Sequence, residues 1–315
     1  TVHQAVTAGN SKRIQRAVAP AAALFNFSNM KQVQAVHAAG QPHMVGDGFR
    51  VSGYINRNLW PQLNPFLMLD YVAPWHLHPT EHPRGVDVHP HKGFETVTLL
   101  WEGVLAHADS SGASGTLQPG DVQWMTAGSG ILHKEFHEEN FSKKGGTLHM
   151  AQLWINLPAH RKNLPPGYQD IRATAIPELQ FDNGKARVRI IAGSLNGTHG
   201  PARTQTPLHI FDVWAQPGAA CTLPLPQQQI AAVALLQGTV QIGGTTVVRQ
   251  GNLAVLQQEG TDLFIETNND VHLLLLSGAP LHEPIAAYGP FVMNTQAEIQ
   301  QALHDYRTGS FGTLA

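Results

Sequence analysis

The chain has 315 residues, 42% hydrophobic and 13% charged, with frequent Gly (30) and Pro (21); this length favours two domains of about 150 residues and this composition favours short strands joined by turns. Lys and Arg (20) nearly balance Asp and Glu (22), and the net charge of −2 argues against a surface that binds nucleic acid or an anionic membrane. The single cysteine, Cys221, excludes an internal disulfide and any metal site built from several thiolates, so a metal would need His and carboxylate ligands.

The first 44 residues are interpreted as an N-terminal extension, either a leader or a segment added for expression. Basic residues at 12–16 precede a short apolar stretch at 17–25. Pro20 and the lack of a clean small-residue cleavage site argue against a secretory signal peptide, and Met30 is a plausible native start. No apolar run in the sequence approaches the roughly 20 residues that a membrane span needs. We therefore expect a cytoplasmic protein without membrane contact.

Residues 45–157 are expected to form the first domain. Clusters of Gly, Pro, Asp and Ser separate short β-type runs there, at 49–54, 96–101, 103–108 and 147–155. This spacing predicts an all-β barrel or sandwich. A proline-rich stretch at 157–167 interrupts the pattern, so residues 158–185 are predicted to be a linker.

Residues 186–280 are expected to form a second domain of the same kind. A second series of β-type runs lies at 186–191, 208–214, 230–236, 239–242, 253–256, 263–266 and 271–276. The hairpin signals WEGVLAHADSSG in the first half and LQGTVQIGGT in the second both place Gly between adjacent strands. The two halves are therefore predicted to be two copies of one architecture.

The last segment, 281–315, is expected to contain one short amphipathic helix. A capping box opens it at Thr295, apolar residues repeat at positions 299, 303 and 306, and Gly309 ends the pattern. We expect this helix to pack against a barrel and to carry no chemistry.

Histidine is the anomaly of the composition, because nine of the 18 copies lie in the predicted first domain. In HPHKGFE, the side chains of His89, His91 and Glu95 are spaced by even numbers, so on a strand they would project from one face. The same holds for His133 and Glu135 in GILHKEF. Two barrel strands could then bring three imidazoles and one carboxylate to one point. Such a donor set suits a divalent transition metal with open coordination positions.

The other histidines of this domain are interpreted as residues without a metal role. The stretch WHLHPTEHP adds three histidines but is flanked by prolines, so it is predicted to be a loop, with a lid over the site as the alternative. His107 and His149 are interpreted as hydrogen-bonded core side chains, and His137 as part of a solvated face. The second half lacks a comparable ligand pattern, so one metal per chain is expected.

The order of these motifs resembles the cupin superfamily, and three segments are similar to the pirin family: HPHKGFETV, GDVQWMTAGSGILHKE and EPIAAYGPFVMNT. The resemblance runs through roughly residues 45–312. It implies an all-β bicupin, two tandem cupin β-barrels of the jelly-roll type, with a metal in the N-terminal barrel. It places the ligands on His89, His91, His133 and Glu135. The expected metal is Fe(II), and Mn, Co, Ni, Cu or Zn would also accept these ligands.

The carboxylate ligand has two candidates. The general cupin pattern takes the carboxylate that follows HxH, which is Glu95, whereas the pirin pattern takes the one in HxE, which is Glu135. We favour Glu135, with Glu95 orienting an imidazole through its free N–H group. Burial in the core is the favoured interpretation, and the wall of an apolar pocket the alternative, for six side chains that flank the ligand motifs: Phe66, Met68, Phe94, Trp124, Met125 and Ile131.

The resemblance implies two kinds of role. One is a quercetinase, a metal-dependent dioxygenase that opens a small aromatic substrate such as the flavonol quercetin with O₂, and the other is a non-catalytic metal- or redox-sensing protein that binds a regulatory partner. For the dioxygenase, we expect the 3-hydroxyl and carbonyl oxygens of the flavonol to approach the metal and Glu135 to act as general base. A cupin acting on sugars would need a pocket lined by Lys or Arg, which the residues around the motifs do not offer. The sequence has no polybasic segment, so we expect no direct nucleic-acid contact.

Overall fold

The computed structural model describes residues 29–314, so the basic residues and the apolar stretch noted within 1–28 lie outside the described residues. The helices are α1 Trp60–Leu63, α2 Glu139–Lys144 and α3 Gln296–Arg307. Short 3₁₀ helices lie at Arg57–Leu59, Ala159–Arg161, Ala173–Ala175 and Asp182–Gly184. No helix within residues 29–314 is both long enough and apolar enough to span a membrane.

Most of the described chain is β-structure. The strands of the first half are β1 Val33–Ala38, β2 His43–Val45, β3 Phe49–Ile55, β4 Phe66–Leu77, β5 Gly85–His91, β6 Phe94–Glu102, β7 Leu105–Asp109, β8 Ser114–Leu117, β9 Val122–Thr126, β10 Ile131–His137, β11 Gly146–Asn156 and β12 Gly167–Ile171. Those of the second half are β13 Glu178–Phe181, β14 Ala186–Ala192, β15 Ser194–Leu195, β16 Thr198–His199, β17 Leu208–Ala215, β18 Ala220–Pro224, β19 Ile230–Gln237, β20 Thr239–Ile242, β21 Thr246–Arg249, β22 Asn252–Leu256, β23 Asp262–Thr267, β24 Val271–Gly278, β25 Ala286–Tyr288 and β26 Phe291–Met293. The all-β fold class predicted from the sequence is confirmed.

The first domain consists of two antiparallel sheets. The larger has seven strands in the order β12-β9-β6-β11-β4-β3-β2, and the smaller has four in the order β5-β10-β7-β8. Buried side chains of both sheets form one apolar cluster, which includes Val51, Val72, Leu105 and Met150. Because its strands are divided between two sheets, this domain has the form of a β-sandwich.

The second domain repeats this plan. Its larger sheet has the order β1-β22-β19-β24-β17-β14-β13, and its smaller sheet has the order β18-β23-β20-β21. Side chains such as Phe211, Val213, Leu273 and Ile265 fill the space between the sheets. The prediction of two copies of one architecture is confirmed.

Strand pairing corrects two of the predicted boundaries. β1 lies in the predicted N-terminal extension, yet it pairs with β22 of the second domain, with Val36 opposite Ala254. The predicted linker contains two strands, of which β12 pairs with β9 of the first domain and β13 pairs with β14 of the second. The extension and the linker were therefore interpreted wrongly for these strands. Their partners are distant in sequence, and local hydrophobic patterning does not reveal such partners.

The two seven-stranded sheets pack against each other through a cluster that includes Leu99, Leu153, Ile210 and Leu274. A buried polar group lies at this contact. The carboxylate of Asp212 accepts hydrogen bonds from Trp101 Nε1 of the first domain (3.0 Å) and Arg189 Nη1 (3.1 Å). His272 Nε2 lies 2.8 Å from its other oxygen. Burial opposes ionisation of Asp212, but His272 and Arg189 outweigh it and hold the pKa of this carboxyl below its usual value.

The C-terminal segment returns to the first domain. The buried Lys162 Nζ donates hydrogen bonds to the carbonyl oxygens of Gly93 (2.8 Å) and Val292 (2.9 Å), which ties β26 to the turn after β5. The helix α3 begins with the predicted capping box. Its buried Ile299 belongs to an apolar cluster that also contacts Leu132 on β10. The predicted helix is therefore confirmed, and it packs beside the four-stranded sheet of the first domain.

Candidate metal centre

Three histidines converge on two adjacent strands of the four-stranded sheet. β5 carries His89 and His91, β10 carries His133, and the antiparallel register places His133 opposite His89. One ring nitrogen of each lies within 4.8 Å of the others, and no second group of this kind occurs within residues 29–314. His91 and His133 are only 3% and 1% exposed. Even spacing along β5 and direct pairing across the strands place these rings on one face of the sheet.

The unpaired nitrogens of this histidine triad suit a metal ion. His91 Nδ1 and both ring nitrogens of His133 are buried and have no hydrogen-bond partner in the described chain. His89 Nδ1 lies 2.7 Å from the carbonyl oxygen of Asp87, so it carries the proton and leaves Nε2 free. Burial and the neighbouring histidines lower the pKa of His91 and of His133 well below the usual value. The imidazoles of His91 and His133 are therefore neutral, which is the form that binds a metal.

Glu135 lies next to the triad but is not part of it. It follows His133 by two residues on β10, and its oxygens lie outside the group whose donor atoms are within 4.8 Å. Gln152 Nε2 on β11 lies 3.2 Å from Glu135 Oε1 and 3.0 Å from Oε2, and it also contacts Thr98 Oγ1 at 3.3 Å. The structure thus brings three of the four predicted ligands together. The fourth, Glu135, lies beside the triad and is hydrogen-bonded to Gln152.

Glu95 is separated from the histidine pair by a break between strands. β5 ends at His91 and β6 begins at Phe94. The prediction that one strand carries both histidines and Glu95 is therefore wrong. Glu95 accepts a hydrogen bond from Thr126 Oγ1 (2.7 Å). No hydrogen bond joins it to the triad in the described part of the chain, so the expected orienting contact is not formed. Burial raises the pKa of Glu95 to about 7, against the opposing effect of the Thr126 hydrogen bond.

A cavity of about 270 Å³, here called the inner cavity, opens beside the triad. Its polar wall includes His89, His91, Glu135 and Gln152. Its apolar wall is formed by Val45, Phe49, Val51, Met68, Val72, Val86, Met150, Trp154 and Pro290. No lysine or arginine of the described residues lines it. The arrangement places metal-binding nitrogens and a carboxylate at the side of a mainly apolar space.

Of the six side chains considered for the pocket wall, Met68 lines the inner cavity, whereas Phe94, Trp124 and Met125 lie in the core. Phe94 and Trp124 have no exposed surface, Met125 is 1% exposed, and none of the three lines the inner cavity. Phe94 packs against the imidazole of His91, with ring centroids 5.1 Å apart. The favoured interpretation, burial in the core, therefore holds for Phe94, Trp124 and Met125, and Phe94 helps to hold the imidazole of His91 in place.

A row of polar side chains on the seven-stranded sheet was not singled out from the sequence. Strand register places Asp70, Gln152, Thr98 and Gln123 next to one another on β4, β11, β6 and β9. Thr98 and Gln123 are buried, and Gln152 contacts Glu135 on the other sheet. The available signal was a single polar residue within an apolar strand, as Asp70 in FLMLDYV. This polar row faces the histidine-bearing sheet.

Other histidines of the first domain differ in part from their predicted settings. β4 extends far enough to include His76, which was expected in a loop. His137 is buried and hydrogen-bonded to a backbone carbonyl, so the expected solvated face is wrong. His149 lies 3.0 Å from the hydroxyl of Tyr71, as expected of a hydrogen-bonded core residue. His107 is buried too, but neither of its ring nitrogens has a hydrogen-bond partner within the described residues.

Family models match both halves of the chain. The model described as Pirin matches residues 48–155, and the model described as Pirin C-terminal cupin domain matches residues 210–312. The first matched range lies in the first domain, the second extends from β17 of the second domain through α3, and together they cover more than half of the chain.

Individual relatives match over nearly their full length. A Pseudomonas aeruginosa protein named "Putative quercetin 2,3-dioxygenase" is 46% identical over 283 residues, which is 90% of this chain and 99% of that protein. Human pirin is 37% identical over 275 residues, 85% of this chain and 89% of that protein. The crystal structure of quercetin 2,3-dioxygenase from Acinetobacter baumannii has a TM-score of 0.89 and 43% identity, and the match covers 91% of this chain and 100% of that one.

Proposed function

Because this chain belongs to the pirin family, we propose that it is a mononuclear metal-dependent dioxygenase that cleaves a flavonol such as quercetin with O₂. The observation that carries the proposal is the histidine triad, two of whose members, His89 and His91, line the wall of a mainly apolar cavity. Planar aromatic substrates are bound by such walls. The absence of Lys and Arg from the described wall of the inner cavity argues against a phosphorylated sugar.

His89, His91 and His133 would hold the metal, with Glu135 as the fourth ligand or as its neighbour. Fe(II) is the metal we propose, although other divalent transition metals bind the same donors. When bound, such a metal acidifies a coordinated hydroxyl and provides positions at which substrate and O₂ meet.

In this proposal the protein itself supplies a base and a mainly apolar pocket. The Glu135 carboxylate would accept the proton of the flavonol 3-hydroxyl, which makes the substrate electron-rich enough to react with O₂. Gln152 donates hydrogen bonds that keep this carboxylate at the edge of the triad. The apolar residues of the inner cavity, among them Met68 and Trp154, would contact the rings and exclude water.

O₂ uptake with quercetin by Fe(II)-loaded protein tests the proposal. We expect uptake that depends on the metal and is lost in His91→Ala, whose metal content is measured by elemental analysis. His76→Ala is the matched control, since His76 is an exposed histidine of the same domain outside the triad. It should keep both metal and activity.

Two results would contradict the proposal in different ways. Bound metal without O₂ uptake for any flavonol would reject the dioxygenase function and favour the metal-sensing, partner-binding role. Full metal content and activity in His91→Ala would reject the triad as the metal site.

A further inference from the structure

A second cavity adjoins the inner one. This outer cavity has a volume of about 400 Å³, and its wall includes His43, Asn56 and Arg57. Met68, Asp70 and Trp154 line both cavities. Asp70 therefore lies at the junction between the inner cavity, which is beside the triad, and the more polar outer cavity.

The wall residues that the two cavities share define a path along which a ligand can extend across this junction. Small-molecule sites usually occupy about 300 to 1,000 Å³. The inner cavity, at about 270 Å³, falls below that range, whereas the two cavities together lie within it. A three-ring ligand with one end at the triad would therefore continue past Asp70 into the outer cavity.

The carboxyl group of Asp70 has no hydrogen bond within the described residues. Its electrostatic partner is the exposed His43 imidazole, which also lines the outer cavity. Asp70 itself is half-buried on β4, and Gln152 is its direct neighbour across β11. A ligand that fills the two cavities would cover this carboxyl, and covering it is costly unless the ligand supplies a hydrogen-bond donor.

We propose that Asp70 is the acceptor for phenolic hydroxyl groups on the part of the substrate that passes from the inner into the outer cavity. The inference rests on the proposed function for the substrate class. Asp70 would then set specificity without touching the reacting atoms. A hydroxyl that donates to a carboxylate forms a stronger hydrogen bond than one between neutral groups, so polyhydroxylated flavonols should be preferred over those that carry only the 3-hydroxyl.

Anaerobic binding measures this preference without turnover. Quenching of Trp fluorescence in the metal-loaded protein would be followed with two probes, quercetin and 3-hydroxyflavone, which keeps the 3-hydroxyl and the carbonyl but has no other hydroxyl. The quantity of interest is the ratio of the two dissociation constants. We expect Asp70→Ala to weaken quercetin binding by about tenfold and 3-hydroxyflavone binding by less than about twofold. Asp70→Asn, which keeps the size and an acceptor oxygen, should lie between Asp70→Ala and the wild type.

Asp170→Asn is the control, because Asp170 continues the same polar row beyond Gln123 but lines neither cavity. It should leave the ratio unchanged, and thermal unfolding checks that each variant is folded. A ratio equal to that of the wild type in both Asp70 variants would overturn the inference. An Asp70-dependent ratio without O₂ consumption would leave the inference intact and reject only the proposed catalysis.

Discussion

Replacing Glu95 by Gln should change the stability of the metal-free protein in a pH-dependent way. Glu95 is 1% exposed, and its burial raises the pKa from 4.5 to about 7. Because one pKa unit corresponds to about 1.4 kcal/mol, ionising this carboxyl costs the folded state about 3 kcal/mol. The unfolded chain releases the proton near pH 4.5 and the folded chain near pH 7. The free energy of unfolding of the wild type therefore falls as the pH rises through this window.

The variant lacks this loss of stability. Gln keeps the size of the side chain and an oxygen that accepts from Thr126 Oγ1, but it does not ionise. Relative to the wild type, Glu95→Gln should gain about 2 kcal/mol of unfolding free energy between pH 5 and pH 8. Urea denaturation followed by Trp fluorescence at both pH values measures this gain. Because the difference between variant and wild type is compared at two pH values, any pH-independent effect of the amide on stability cancels.

A control variant and a metal titration test whether the effect is specific to the burial of Glu95. Glu102→Gln, at the exposed end of the same strand, should show the pH dependence of the wild type. If Glu95→Gln showed that dependence as well, the argument from burial would be refuted. Metal titration separates the two carboxylates: Glu95→Gln should keep its Fe(II) affinity, whereas Glu135→Gln should lose about tenfold or more.

Two further substitutions test the packing around the site. Asp212→Ala should lower the free energy of unfolding by about 3 to 5 kcal/mol, measured by chemical denaturation, because it leaves Arg189 at the domain contact without its carboxylate partner; a loss below about 1 kcal/mol would show that this buried pair contributes little to stability. Gly130→Ala should cost about 2 to 4 kcal/mol, because Gly130 has φ +121° and an added Cβ would overlap the ring of Phe311. Limited proteolysis should then release the end of the C-terminal segment faster than in the wild type, and unchanged cleavage would contradict the contact.

Local patterning was enough to predict most elements. The run at 239–242 coincides with β20, and the capping box at Thr295 coincides with the start of α3. Both depend on side-chain alternation or on hydrogen bonds between near neighbours, which the chain carries within a few residues. The histidine pair of β5 follows the same logic, since alternation alone places His89 and His91 on one face.

Errors arose where a local pattern had to be extended. Even spacing linked Glu95 to the histidine pair, but the turn between β5 and β6 places it in another sheet. The polar stretch around His137 suggested solvent, but packing buries this ring. The segments at 33–38 and 167–181 appeared to be an extension and a linker, because their strand partners are distant in sequence.

The sequence by itself determined the all-β class, the two repeated halves, the family and the residues able to donate to a metal. These properties depend on composition, on alternation along each strand and on short motifs. Only the tertiary structure decided that Gln152 donates hydrogen bonds to Glu135, that Glu95 accepts a hydrogen bond from Thr126, and that Asp70 lies where two cavities join. Alternation specifies the face on which a side chain lies, but register between distant strands specifies which side chains meet there.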